Sequence, residues 1–226
     1  MKITFLGHAS LCIETAGTTI IVDPFISGNP KNTGQVSLAT LQPDFIFVTH
    51  AHQDHVLDVE ALATQSGATI VSNYEIATYY ENKGYKVHPM NHGGSWEFNF
   101  GTLKYVNAIH TSSFADGTYG GQPGGFVLQA DSKTVYIAGD TALHMDMQLI
   151  PILFDLDLAI LPIGDNFTMG VTEAIHAAKM VECKEVLGYH YDTFGFIEID
   201  HKKAIEAFRA EELNLHLLPI GESITI

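Results

Sequence analysis

The chain has 226 residues, 46% of them hydrophobic, which is enough material for a sizeable buried core. Eleven Lys and Arg stand against 26 Asp and Glu, a formal net charge of −15 at pH 7, which disfavours a nucleic-acid or anionic-membrane partner. No apolar run approaches the roughly 18 residues of a membrane span, and Gly7-His8 interrupts the opening before a signal-peptide apolar region forms, so a cytoplasmic protein with no export signal is expected.

Residues 3–6, 11–15 and 19–22 are short β-branched or aromatic runs punctuated by Gly7 and Ala16-Gly17, and they predict three strands. Asp23-Pro24 ends the third, and a loop rich in Gly, Asn and Pro follows over 27–34. Residues 45–49 carry a continuous apolar run, as a strand buried on both faces does. From Asp58 the pattern turns to βα units: a helix over 59–65, a strand at 69–71, a helix over 74–82 stopped by Gly84, and a strand at 85–88 closed by Pro89. The second half repeats this order. Segments 96–100, 103–109, 126–129 and 135–138 predict antiparallel strands, with turns at Gly101 and at 131–133. An apolar strand at 158–161 follows, then a helix starting near Thr172, a suitable N-cap, and a strand at 186–189. A helix over 201–212 and strands at 215–218 and 223–226 complete the chain. A strand meander followed by βα units, twice, predicts an α/β (α+β) chain with two packed sheets and helices on the outer faces. No linker, charge block or low-complexity tract divides 1–226, so one domain is expected.

Cys12 and Cys183 lie far apart without C-x-x-C spacing and read as buried thiols in a reducing compartment. Histidine is the conspicuous residue: twelve, more than Lys and Arg together. Straight after the run at 45–48 comes Thr49-His50-Ala51-His52-Gln53-Asp54-His55, four metal-ligating side chains within six positions at a strand end. His50 and His52, two apart, point the same way from an extended backbone. Asp54 and His55, adjacent, can face away from that pair and serve a second centre. Packing four such groups together costs free energy that a bound cation offsets.

The H-x-H-x-D-H run resembles the signature of the metallo-β-lactamase fold superfamily. The superfamily's further motifs follow in order as Ala108-Ile109-His110-Thr111-Ser112, Ala138-Gly139-Asp140-Thr141 and Gly188-Tyr189-His190-Tyr191. The resemblance spans the chain and implies a four-layer αββα sandwich. It implies His50, His52 and His110 around one metal, Asp54, His55 and His190 around a second, and Asp140 bridging them. Imidazole and carboxylate donors suit two divalent ions, with Zn the expectation and Mn or Fe the alternatives. Two such ions about 3.5–4 Å apart generate a bridging hydroxide near neutral pH. The implied reaction is then hydrolysis of a small ester, lactone or phosphoester, with Asp54 and Asp140 as catalytic carboxylates and Asp54 also a proton shuttle. Gly7-His8-Ala9-Ser10, Asp23-Pro24 and the segment 164–170 look like a branch of small bacterial and archaeal metal-dependent hydrolases. That branch is related to the ascorbate-phosphate lactonases and, more distantly, to the phospholipase D that cleaves N-acylphosphatidylethanolamines. The chain lacks the long lid or extra domain of the RNA-processing and glyoxalase II branches, which favours a small-molecule substrate. Three alternatives stay open: an iron-dependent redox enzyme on the same ligands, a nucleic-acid phosphodiesterase, and a metal-binding protein without activity. A homo-oligomer is compatible with everything above.

Other residues carry two readings each. His8 is a substrate contact or proton donor at the pocket mouth, or a turn histidine bonded to backbone. Asp23 fixes the tautomer of a ligand histidine, or simply ends a strand. Asn166 binds a substrate oxygen, or belongs to a plain turn. The stretch 116–125, with five glycines, is a substrate loop whose amides hold an anion; it lacks the ending of a P-loop. His144 lies four residues after Asp140 yet reads as the start of a surface helix, and Asp192 orients a ligand or caps a turn.

Overall fold

An apolar run buried on both faces needs a covering layer on each side, and the computed structural model, which describes residues 1–226, supplies both. The first half forms β1 (Lys2–Gly7), β2 (Ser10–Thr15), β3 (Thr18–Val22), β4 (Phe45–Phe47), α1 (Gln53–Val56), α2 (Val59–Ser66), β5 (Thr69–Asn73), α3 (Tyr74–Glu81) and β6 (Val87–Met90). The second half opens with β7 (Ser95–Phe98), β8 (Gly101–Asn107), β9 (Gly124–Ala130), β10 (Lys133–Ile137), α4 (Ile150–Leu153) and β11 (Leu158–Pro162). It closes with α5 (Val171–Met180), β12 (Glu185–Tyr189), α6 (His201–Ala210), β13 (Asn214–His216) and β14 (Ser223–Thr225). Two seven-stranded sheets result, ordered β14-β1-β2-β3-β4-β5-β6 and β13-β12-β11-β10-β9-β8-β7. In each, an antiparallel meander passes into parallel strands, at β3–β4 and at β10–β11. The last strand returns to the first sheet and pairs antiparallel with β1.

The period-2 alternation of the strands sorts side chains between cores. In β11, Leu158 and Ile160 enter the core between the sheets, while Ala159 and Leu161 pack with Ala174 and Ala177 of α5 and Phe208 of α6. In the first sheet, Phe47 and Val71 face the other sheet, and Ile46 and Ile70 meet Val59, Leu62 and Tyr80 of α2 and α3. Helices therefore cover both outer faces, in the expected four-layer order.

Local details depart from the sequence reading. Pro89 lies inside β6 rather than closing it; β6 is an edge strand, where a missing N–H costs the ladder nothing. Helix α5 starts at Val171 with Gly170 as its cap, so Thr172 sits inside the first turn instead of capping it. Strand β8 stops at Asn107, which frees the following residues to leave the ladder. No helix is long and apolar enough to cross a membrane.

Candidate metal centre

The ends of four strands deliver the expected ligands. His50 and His52 follow β4, His110 follows β8, Asp140 follows β10 and His190 follows β12. The single turn of α1, with His52 at its N-cap, carries Asp54 and His55, and the His55 ring lies beside that of His50 with centroids 4.1 Å apart. Asp140 Oδ2 is the focus. The Nε2 atoms of His190, His55, His110 and His50 lie 3.0, 3.3, 3.6 and 3.9 Å from it. The donor atoms of His50, His52 and His110 fall within 4.8 Å of one another, and so do those of Asp54, His55, His190 and His8. These are the two trios drawn from the sequence, with His8 added to one. Asp140 Oδ1 and His55 Nε2 are buried without hydrogen-bond partners. Unpaired buried polar atoms inside a ring of imidazoles and carboxylates are what divalent cations satisfy, so the donor set fits metal.

A buried carboxylate organises these nitrogens from behind. Asp23 is fully buried and accepts from the Thr49 backbone N–H (2.8 Å), the Thr49 hydroxyl (2.6 Å) and His55 Nδ1–H (2.9 Å). Because the Thr49 hydroxyl proton goes to Asp23, its oxygen accepts from His50 Nδ1–H at 3.0 Å. One carboxylate thus fixes the tautomers of two histidines and leaves their Nε2 atoms for the cluster. Both readings of Asp23 hold, since it also bends the chain after β3 with φ 44°.

The electrostatics follow from burial competing with neighbours. Burial opposes charge on His55, but Asp140, Asp23 and Asp54 outweigh it and hold that imidazole well above its usual range. A cation at Nε2 takes the place of that proton. Burial, then the charge of His55, pushes His50 well below the usual range. Burial works against ionised Asp54 and Asp140, yet their histidine neighbours outweigh it and both carboxyls stay below the ordinary range.

His8 is buried beneath Asp54, which corrects its placement at the mouth. Burial and then the charge of His190 lower its pKa to about 4, so the ring is neutral. Its Nε2–H donates to Asp54 Oδ2 and its Nδ1 accepts from the Thr193 hydroxyl, each at 2.9 Å. Asn166 is exposed, takes φ 53° and lines a neighbouring cleft with Lys203, not the cavity over the cluster. Its N–H donates to Asp165 Oδ1, the bond of a turn. The glycine-rich stretch braces the candidate ligands from behind. Ser112 Oγ accepts from Ala51 N–H and donates to Gly120 O, and Asn73 Nδ2 donates to the same carbonyl. A side chain at Gly120 would meet Ala51 Cβ at 2.4 Å, so glycine is required where this stretch passes under the His50–His52 turn. His144 is buried in a separate cavity beside Leu149 and Leu153. Asp192 accepts from Ile199 N–H and His201 Nε2 and so ties down the loop that follows His190.

Sequence reasoning missed Thr193, the aromatic pair Phe194 and Phe196, and the tautomer-setting role of Thr49. Thr49 adjoins the histidine run, and that was its only signal; Thr193 and the two rings carry no pattern that a local window reveals.

Known proteins share this sequence and fold. A family model described as the beta-lactamase superfamily domain matches residues 2–190. Proteins named UPF0173 metal-dependent hydrolase from Christiangramia forsetii and Flavobacterium johnsoniae are 59% and 61% identical over 226 residues, covering each chain in full. A solved structure described as a novel metallo hydrolase from Ignicoccus hospitalis superposes with a TM-score of 0.89 at 31% identity, covering 99% of this chain and 97% of that one. The chain belongs to the metallo-β-lactamase superfamily and, within it, to the UPF0173 metal-dependent hydrolases.

Proposed function

We propose that the protein, acting as a single domain over 1–226, hydrolyses a small ester, lactone or phosphoester with two divalent ions. The observation that carries this reading is the convergence of four imidazole Nε2 atoms on one buried carboxylate oxygen, Asp140 Oδ2, at 3.0–3.9 Å. In this reading His50, His52 and His110 hold one ion, Asp54, His55 and His190 the other, and Asp140 lies between. The donors are nitrogen and oxygen without thiolate, which suits Zn first and Mn or Fe next. A pair of such ions supplies a water of near-neutral pKa and an electrophile for the carbonyl or phosphoryl oxygen.

The chain's own residues do the rest. Asp23, directly and through Thr49, keeps protons on the Nδ1 atoms of His55 and His50 and so frees the ligating nitrogens. His8 holds Asp54 in place with a charge-assisted bond. Asp54, whose side chain is 28% exposed, lines the open cavity and is the carboxylate placed to exchange a proton with the reacting groups. The acidic balance favours a small molecule over nucleic acid, and two free buried thiols suit a reducing cytoplasm.

Elemental analysis of protein purified without chelator tests the reading. About two equivalents of Zn or Mn, with turnover of a neutral ester or lactone, is the expected result. Iron as the main metal moves redox chemistry to first place, and less than half an equivalent after reloading overturns the ligand set.

A further inference from the structure

The cavity over the cluster has a volume of about 650 Å³, and Phe167, Phe194 and Phe196 line it together with the histidines and Asp54. Phe167 is 50% and Phe196 79% exposed, and their rings meet edge to face with centroids 6.3 Å apart. Such rings are usually buried, and a patch of them beside a polar cluster marks a surface that meets something apolar. The loop carrying two of them is held in shape. Thr193 bonds to His8, Asp192 N–H donates to Ile197 O, and the Asp192 carboxylate accepts from Ile199 N–H and His201 Nε2. Phe194 packs edge-on against His8, with ring centroids 5.4 Å apart. The backbone that carries Phe194 and Phe196 is therefore preorganised.

Charge narrows the occupant further. None of the eleven Lys and Arg lines this cavity; Lys203 belongs to the neighbouring cleft. A phosphate or carboxylate on the non-reacting end of a substrate would need a fixed cation or a row of free N–H donors to offset its desolvation. Away from the cluster it would meet aromatic rings instead.

We propose that the substrate is electrically neutral and carries an apolar acyl or aryl group that packs against Phe167 and Phe196 while its ester or lactone carbonyl reaches the His–Asp cluster. This rests on the hydrolytic reading above and narrows it: phosphate- or carboxylate-tailed esters are poor substrates.

The test uses metal-loaded protein and three esters: 4-nitrophenyl acetate, 4-nitrophenyl hexanoate and the carboxylate-tailed mono-4-nitrophenyl adipate. The hexanoate should exceed both others in kcat/KM by about tenfold or more, the scale on which an apolar pocket discriminates. In the Phe167→Ala/Phe196→Ala double variant, which alters exposed side chains, the hexanoate-to-acetate ratio should fall towards one. Phe196→Leu should retain most of it. Equal rates for adipate and hexanoate overturn the proposal. So does an unchanged ratio in the double variant, including the case where only its oligomeric mass changes. If no ester is cleaved, the ester part of the hydrolytic reading fails, and calorimetry decides the tail preference separately. Hexanohydroxamate should bind tighter than acetohydroxamate by roughly tenfold or more; equal affinities overturn the proposal.

Discussion

Replacing Asp23 with Asn changes one atom in a fully buried site. The carboxylate accepts three hydrogen bonds, with Oδ1 serving the Thr49 N–H and Oδ2 serving both the Thr49 hydroxyl and His55 Nδ1–H. An amide offers one acceptor atom in their place. If its NH2 occupies the Oδ1 position, it opposes the Thr49 backbone donor, and a buried unpaired donor costs about 1–3 kcal/mol. If its NH2 occupies the Oδ2 position, His55 Nδ1 must become an acceptor, and the Thr49 hydroxyl must turn its proton to His50 Nδ1. Both imidazoles then carry hydrogen on Nε2, the atom the cluster uses. Loss of such supporting bonds lowers metal affinity by about 10–100-fold, or roughly 1.4–2.7 kcal/mol. Asp23→Asn should therefore lose either about 1–3 kcal/mol of metal-free stability or one to two decades of metal affinity. The first is read by urea unfolding of chelator-treated protein and the second by competition with a chromophoric chelator. A variant that matches the parent in both refutes the assignment of tautomer control to Asp23.

Asp140→Ala should lose metal content and hydrolytic activity together, measured by elemental analysis and an ester screen; full activity in that variant sinks the site. Gly164→Ala would set a Cβ 2.1 Å from the His190 carbonyl oxygen, a backbone atom that has little freedom to yield. It should lower the thermal midpoint by the equivalent of about 1–3 kcal/mol and reduce metal affinity as His190 shifts, and a parent-like value for both would refute the close packing. Asp157 supplies a pH test away from the cluster, where it accepts from Lys133 Nζ at 2.7 Å and from the Thr134 N–H at 2.8 Å. Burial opposes its ionisation, but the Lys133 and Thr134 bonds outweigh that and hold the carboxyl below its ordinary value. A depressed folded-state pKa contributes stability above the unfolded value of about 3.9 and loses it as pH falls through the folded value. Asp157→Asn should thus cost up to about 1 kcal/mol at pH 7 for this half-exposed pair, and the difference should vanish towards pH 2; an equal difference at both pH values refutes it.

Much of the architecture was legible because its causes are local. Alternating cores cover both faces of β4 and β11, so those strands read as unbroken apolar runs. The helix at α2 is legible from its own residues, and the candidate ligands sit where strands end. The spacing from His50 to His55 suggests two donor groups, and the structure divides their donor atoms between two clusters while the His55 ring stays beside His50. What local sequence did not carry is which distant segments meet. His8 bonds to Thr193 across 185 positions and to Asp54 across 46, so a residue read as a mouth contact becomes a buried support. Gly120 is small because Ala51 lies against it, and Pro89 is tolerated because β6 has no outer neighbour; neither reason exists until the sheets are assembled. The rings of Phe167 and Phe196 come from loops after β11 and β12, and only the packing of those loops over the cluster makes one wall of them. Sequence determined the donor types and the strand faces, since periodicity and chemistry act over a few residues. The tertiary structure decided tautomers, supports and the character of the mouth, because each depends on atoms brought together by the closing of two sheets.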